Sequence, residues 1–196
     1  MSENDKGIGF GLDFGTTNSV VALHDRGHVR PITDSGFPHP SVVWNRPEGQ
    51  VTVGRSARDR FHEYSNVTGH RFATSVKSHL GTDYPIDIFG SRRTPAQVAR
   101  DILAFLRQHA MDREGLEIRE AVFTIPVSFG GQERADLRRA AQDAGIFVKT
   151  FVHEPFAAVV AHFCATVGAE NLQDLEGQNI LVFDWGGGCC VARPGS

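Results

Sequence analysis

The sequence predicts an α/β fold built on a mixed β-sheet, with a smaller α+β subdomain inserted into it. Strands alternate with helices from residue 94 onward, which is typical of parallel crossover units. Three strands near the N-terminus follow one another as an antiparallel meander, so the sheet is expected to be mixed. We therefore assign 7–36 and 94–188 to the core, 37–93 to the insertion, and 189–196 to an irregular tail.

The first strand is predicted from alternation in "IGFGLDF", residues 8–14, with glycines and Asp13 on one face and large apolar residues on the other. A bare glycine face predicts that another group approaches the backbone closely. The stretch "GTTN" then turns the chain, "SVVAL" returns as a second strand, and "HVRPI" makes a third. These three strands are the expected meander.

The insertion is indicated by a change in local signals. Prolines 38, 40 and 47 interrupt the chain, short strands flank "RPEGQ", and a polar helix is predicted around 57–64. Thr94, Pro95 and Gln97 then open a long helix, since threonine with glutamine three residues later forms a capping box and proline suits the first helical turn.

The remaining elements alternate regularly. "EAVFTIP" predicts a buried strand closed by Pro126, and "GQERADLRRAAQDAG" a helix that ends at Gly145 in a left-handed cap. "FVKTFV" predicts another strand, "EPFAAVVAHFCATV" another helix, and "NILVFD", residues 179–184, a last strand.

Composition narrows the function classes. The 196-residue chain carries a formal net charge of −3, so no overall field favours nucleic acid or an anionic membrane. The apolar stretch 156–167 is shorter than the roughly 20 residues needed to span a bilayer. The N-terminus does not resemble a secretory signal, so we expect a cytoplasmic protein. Cys164, Cys189 and Cys190 lack the spacing of a zinc or redox site.

Two segments near opposite ends of the chain echo each other: "GLDFGTT" at 11–17 and "VFDWGGG" at 182–188. Each has an aspartate at the end of an apolar strand, an aromatic residue, and then a tight turn of small residues. We predict that the two turns face each other across a cleft. The alternative is a pair of ordinary strand-end turns, where aspartate and glycine are common.

The paired turns have the residue types expected of a site that binds a nucleoside triphosphate. Backbone N–H groups of glycine and small residues can surround phosphates, and hydroxyls of Thr16 and Thr17 add donors. Asp13 and Asp184 are placed to hold Mg²⁺, mainly through its waters. A dinucleotide fingerprint or a P-loop is excluded because Gly9 and Gly11 lie inside a strand and no Gly-Lys-Ser or Gly-Lys-Thr follows.

Four ordered segments, "GLDFGTTNS", "VFTIPVSFGGQERADLRRAAQDAGI", "HEPFAAVVAH" and "VFDWGGG", resemble the heat shock protein 70 chaperone family of the actin-like ATPase superfamily. The resemblance implies a ribonuclease H-like fold and binding of ATP or ADP with Mg²⁺. It covers the first of the two lobes of the family's nucleotide-binding domain and a few residues beyond, so we expect a truncated member.

The resemblance also assigns roles to individual residues. Lys77 would stabilise charge on the γ-phosphate and the attacking water, Glu154 would orient the water and metal, and Pro126 with Arg134 would relay nucleotide state to a substrate-binding domain. A solvated lysine and a simple N-terminal helix acid remain the alternatives for Lys77 and Glu154. The expected phosphate-binding residues are Asp13, Gly15, Thr16, Thr17, Asn18, Gly186, Gly187 and Gly188, with Asp184 as a further catalytic carboxylate.

The chain departs from the family after Gly188. The family's threonine, apolar residue and second aspartate are replaced by Cys189, Cys190 and Val191. A thiol is a weaker donor than a hydroxyl, and valine offers a metal no oxygen. The resemblance also implies that the adenine and ribose site lies largely in the second lobe, so we expect weak or undetectable ATP binding and no productive ATPase cycle by this chain by itself.

Partners follow from the same resemblance. Unfolded client proteins and co-chaperones are expected only for a full-length form, and self-association through exposed lobe surface is expected for this chain. A second hypothesis is a partner-binding lobe that does not hydrolyse ATP. A third is a small-molecule kinase of the same superfamily, which shares the phosphate turns, although the segment 125–146 resembles the chaperone family much more closely.

Overall fold

A computed structural model describes residues 7–88, 91–166, 168, 177 and 179–182. The strands are β1 (Ile8–Asp13), β2 (Asn18–Asp25), β3 (His28–Ile32), β4 (His39–Pro40), β5 (Val43–Asn45), β6 (Val51–Val53), β7 (Arg71–Ala73), β8 (Ile86–Ile88), β9 (Ser91–Arg93), β10 (Glu120–Ile125) and β11 (Phe147–His153). The helices are α1 (Arg55–Tyr64), α2 (Pro95–Glu114), α3 (Gly131–Asp143) and α4 (Glu154–Thr166). A short 3-10 helix spans Val76–His79.

The main sheet is mixed, as the sequence predicts. Its strands run in the order β11-β10-β1-β2-β3, and β4 pairs with β2. The meander β1-β2-β3 is antiparallel, whereas β1, β10 and β11 are parallel to one another. The carboxyl ends of these three parallel strands therefore lie at one edge, where Asp13 pairs with Thr124 and Thr124 with Val152.

Strand β1 lies at the centre of the sheet. Leu12 is buried within it, and Phe14, which follows directly, is also fully buried. A Cβ added to Gly9 or Gly11 would meet only a cross-strand Cβ on β2 at 3.9 Å, which is ordinary van der Waals contact. The expected close approach to this glycine face is therefore not found among the described residues.

Helix α2 confirms the predicted capping box. Thr94 Oγ1 accepts from the Gln97 N–H at 3.2 Å, and Gln97 Oε1 accepts from the Thr94 N–H at 2.9 Å. The helix is capped after Glu114 by Gly115, whose φ of 66° lies in the left-handed region that favours glycine. Its buried face, which includes Val98, Ile102 and Leu106, packs in the hydrophobic core.

The region 37–93 contains small antiparallel sheets, β6-β5-β7 and β8-β9, together with α1. The two strands around "RPEGQ" and the polar helix are confirmed, while β7, β8 and β9 were not predicted. Val43, Val76 and Leu80 belong to the same buried hydrophobic cluster as Leu12 of the main sheet. The subdomain boundaries stay a prediction.

The last predicted strand is wrong in its described part. Residues 179–182 adopt no regular structure, and Leu181 is 70% exposed. A strand needs a ladder partner for its backbone N–H and C=O groups, and the described sheets do not pair with this segment. Positions 183 and 184 lie outside the described residues. Within the described ranges, every helix is too short or too polar to cross a bilayer.

Candidate functional site

Asp13 closes strand β1 at the sheet edge where three parallel strands end. Its Oδ1 accepts a hydrogen bond from Thr124 Oγ1 of the neighbouring strand β10 at 2.9 Å. The pairing follows from the parallel register, which sets Asp13 directly beside Thr124. The exposed carboxylate is thus fixed in orientation and faces outward at the carboxyl edge.

The turn after Asp13 is held by two serines that sequence reasoning missed. Ser19 Oγ accepts from the Gly15 N–H at 3.3 Å, and Ser41 Oγ donates to the Gly15 carbonyl at 2.8 Å. The two hydroxyls lie 2.9 Å apart, and both serines are buried. Ser19 adjoins the "GTTN" turn, but the sequence offers no signal for Ser41, which is 22 positions away from it.

Gly15 is required by the shape of this turn. A Cβ at this position would lie 1.9 Å from the backbone oxygen of Asn18, a separation that atoms cannot occupy. The backbone therefore folds back on itself more tightly than any other residue type permits. This closure sets Thr16 and Thr17 at the outside of the turn, where they are half-buried and exposed respectively.

Arg58 of helix α1 also reaches the turn, a contact that the sequence did not predict. Its Nη1 donates to Asn18 Oδ1 at 3.2 Å. Arg55 at the start of α1 anchors the helix, because its Nε donates to Asp34 Oδ2 at 2.8 Å. That hydrogen bond lowers the pKa of Asp34 below its ordinary value. The anchored helix holds a cationic side chain beside the turn.

Lys77 and Glu154 are brought together although they are 77 positions apart. Lys77 Nζ donates to Glu154 Oε1 at 2.5 Å, and the side chains are 7% and 26% exposed. Such burial excludes a solvated lysine. Lys77 lies on the 3-10 helix, whereas Glu154 begins α4 directly after β11, where a carboxylate also suits the helix N-terminus. Glu154 thus lies at the same carboxyl edge as Asp13.

Pro126 and Arg134 meet through a third residue, Phe129. The Pro126 carbonyl accepts from the Phe129 N–H at 3.1 Å, and Arg134 Nε donates to the Phe129 carbonyl at 3.1 Å. The Phe129 ring centroid lies 5.8 Å from Lys77 Nζ, within cation–π range. The loop before α3 is therefore in contact with the ion pair. Phe129 was not among the predicted site residues.

Part of the predicted site falls outside the described residues. Asp184, Gly186, Gly187 and Gly188 belong to this part, so the facing turn across a cleft stays a prediction. The described residues contain no cluster of three or more His, Cys, Asp or Glu able to hold a metal ion. A single carboxylate such as Asp13 fits Mg²⁺, which keeps several waters and is commonly bound through one or two carboxylates plus phosphates.

One protein-family model matches this chain. The family model described as Hsp70 protein aligns with residues 70–191, which is 122 of 196 positions (191 − 70 + 1). The matched range includes Lys77, Pro126, Arg134 and Glu154, while the turn at 15–18 lies before it. The loop before α3, with Pro126 and Arg134, and the Lys77–Glu154 ion pair all fall within this one family pattern, and the chain belongs to the Hsp70 family.

Proposed function

We propose that this chain is the phosphate-binding first lobe of an Hsp70-type ATPase. In its full-length form this ATPase would bind ATP or ADP with Mg²⁺ and hydrolyse ATP. The observation that carries the proposal is the Lys77–Glu154 pair beside the strand edge where Asp13 lies. The sheet order β11-β10-β1-β2-β3, with an antiparallel meander and two parallel additions, supports a ribonuclease H-like lobe.

Geometry at the edge suits a phosphate chain. Ligands of open α/β sheets bind beyond the carboxyl ends of parallel strands. Asp13 and Val152 are aligned across β10, so their Cα atoms are about 10 Å apart at the usual strand spacing of roughly 4.8 Å. Glu154 follows two residues later. That separation leaves room for a terminal phosphate between the turn and the ion pair.

Each described residue then has a specific task. The Gly15 N–H is already bonded to Ser19, so donors to the phosphates come from Thr16, Thr17 and Asn18. Lys77 carries the positive charge that stabilises a phosphoryl group under attack. Glu154 accepts a hydrogen bond from a water and orients it. Mg²⁺, when bound, would neutralise phosphate charge beside Asp13.

The wider cycle is proposed on family membership. In a full-length form, ATP hydrolysis would drive binding and release of client proteins, with Pro126 and Arg134 as the relay to a substrate-binding domain. A cytoplasmic location fits this cycle. Nucleotide affinity of this chain is expected to be weak, because Val191 stands where the family has a second aspartate. The family match favours a chaperone ATPase over a small-molecule kinase.

Amide NMR with Mg·ATP tests the proposal. We expect the Thr16, Thr17 and Asn18 amides to shift on titration, and Asp13→Asn to weaken the apparent affinity about tenfold, or roughly 1.4 kcal/mol. Asp25→Asn is the matched control, because Asp25 pairs with Ile8 at the opposite edge of the same sheet. Unmoved turn amides at about 10 mM Mg·ATP, well above a millimolar dissociation constant, would contradict the proposed nucleotide site.

A second candidate, the partner-binding lobe, is favoured by helix α4. Within the described part of the chain, α4 has no buried residue, and Phe156 is 63% exposed. Its ionised residue is Glu154 at the start, so two copies of the apolar stretch that follows would pair without like-charge repulsion. A helix this apolar is normally covered. We propose self-association through this face.

Sedimentation velocity checks this self-association. The wild-type chain is expected to form a dimer or larger species whose share rises with concentration, because burying Phe156 removes apolar surface from water. Phe156→Glu is expected to shift the distribution to monomer. Val29→Glu serves as the control, because Val29 is an apolar residue of strand β3 that is exposed to a similar degree as Phe156. A wild-type monomer at every concentration would rule out this mode of association.

A further inference from the structure

The segment 76–82, which carries Lys77, is hydrogen-bonded to helix α3 near its C-terminal end. The Gly81 N–H donates to Asp136 Oδ2 at 2.9 Å, a part-buried hydrogen bond between residues 55 positions apart. Gly81 has φ +78°, and a Cβ there would lie 2.8 Å from Glu133 Cγ and 3.0 Å from the Glu133 backbone nitrogen. The segment thus lies against α3 at a distance that only glycine allows.

Between Lys77 and Gly81 the chain is short and internally bonded. The Leu80 N–H donates to the Lys77 carbonyl at 3.3 Å, and the Thr82 N–H and hydroxyl donate to the His79 carbonyl at 3.2 and 2.7 Å. Val76 and Leu80 are buried in the hydrophobic core. A displacement of Gly81 is therefore transmitted to Lys77 instead of being absorbed by a flexible loop.

Helix α3 contacts the surroundings of Lys77 from two directions. Asp136 accepts a hydrogen bond from the backbone of the segment that carries Lys77. Arg134 donates to the carbonyl of Phe129, whose ring lies near Lys77 Nζ. Asp136 is itself oriented, because its Oδ1 accepts from Gln132 Nε2 at 3.4 Å. A hydrogen bond from an N–H to a carboxylate is stronger than one between neutral groups.

We propose that Asp136 is a positioning residue for Lys77. By accepting a hydrogen bond from the Gly81 N–H, it holds Lys77 where its side chain can bind Glu154. The inference builds on the catalytic role proposed for Lys77. Asp136 touches no reacting group; it fixes the segment from which the long lysine side chain reaches Glu154.

Amine labelling of the whole chain tests this. An acetylating reagent is applied under native conditions, and the rate at each lysine is read by peptide mass spectrometry. Asp136→Ala is expected to raise the labelling rate of Lys77 about tenfold, since a hydrogen bond to a charged group is worth about 1.5 kcal/mol. Exposed Lys149 in the same sample should keep its rate. Asp143→Ala, on the same helix at an exposed position, is the matched control.

Rescue separates positioning from a merely structural effect. Asp136→Asn retains a carbonyl acceptor for the Gly81 N–H, so its Lys77 labelling rate should return to within about twofold of wild type. A Lys77 rate in Asp136→Ala equal to that in Asp143→Ala overturns the proposal, as does an asparagine variant labelled as fast as the alanine variant. In the wild type, an unprotected Gly81 amide in hydrogen exchange would overturn it as well.

The labelling assay uses no nucleotide, so it stands apart from the proposed ATPase. Faster labelling of Lys77 in Asp136→Ala together with absent Mg·ATP shifts would retain the positioning of the ion pair and reject nucleotide binding. Unchanged labelling together with clear Mg·ATP shifts would reject the role of Asp136 and leave the nucleotide site in place.

Discussion

Replacing Lys77 by alanine in the full-length form proposed above is expected to reduce ATP hydrolysis by about 10²- to 10³-fold, the usual cost of removing one group that stabilises transition-state charge. In this chain the same change should lower the free energy of unfolding by about 2 kcal/mol. Glu154 then loses its partner while it is only 26% exposed, so its charge is partly desolvated and unpaired. The quarter of its surface that reaches water keeps this cost below that of a fully buried ion pair.

Single-turnover hydrolysis by the full-length form measures the first effect, and urea denaturation of this chain measures the second. Lys149→Ala is the matched control, because Lys149 forms an ion pair with Glu120 at 2.8 Å with both side chains 54% exposed, and it should change stability by less than about 1 kcal/mol. Lys77→Ala combined with Glu154→Gln should recover part of the lost stability but none of the activity. Hydrolysis at the wild-type rate in Lys77→Ala would remove Lys77 from the proposed catalytic residues.

Replacing Gly15 by alanine is expected to destabilise the chain by about 3 kcal/mol and to remove Mg·ATP binding at the turn. The new Cβ cannot remain 1.9 Å from the Asn18 backbone oxygen, so the turn must open. Opening it breaks the hydrogen bond that Gly15 donates to Ser19 and the one that its carbonyl accepts from Ser41, so these two buried hydroxyls keep only each other as partners.

Gly11→Ala provides the control for this prediction. Gly11 lies four residues earlier in β1, and an added Cβ there would meet Ala22 Cβ at an ordinary 3.9 Å. Its unfolding midpoint in urea should stay close to that of the wild type, while that of Gly15→Ala should fall clearly below it. Equal midpoints for the two variants would show that the turn is less constrained than its geometry indicates.

Elements with a strong local signal could be predicted from the sequence. Apolar alternation identified β1 and β10, and the threonine and glutamine of the capping box located the start of α2. The left-handed Gly145 after α3 was equally readable, with φ +80°. Residues 179–182 show the limit of such signals, because an apolar run becomes a strand only where a partner strand accepts its backbone.

The site was predictable in composition but not in its contacts. Resemblance to a family placed roles on Lys77 and Glu154, yet the sequence carries no information on a hydrogen bond between residues 77 positions apart. Ser41 and Phe129 were missed for a related reason. Each acts through a tertiary contact made by an ordinary residue type, and neither stands in a motif that indicates its role.

The central position of β1 has a consequence for biosynthesis. Its parallel partner β10 is complete only when Ile125 has been made, 93 positions (125 − 32) after the meander ends at Ile32. At about 5–20 residues per second, the finished meander β1-β2-β3 therefore waits roughly 5–19 s during synthesis with one long edge of β1 unpaired. An unpaired central strand is a template for pairing with other nascent chains. A member of a chaperone family thus passes through an aggregation-prone stage of its own before its sheet can close.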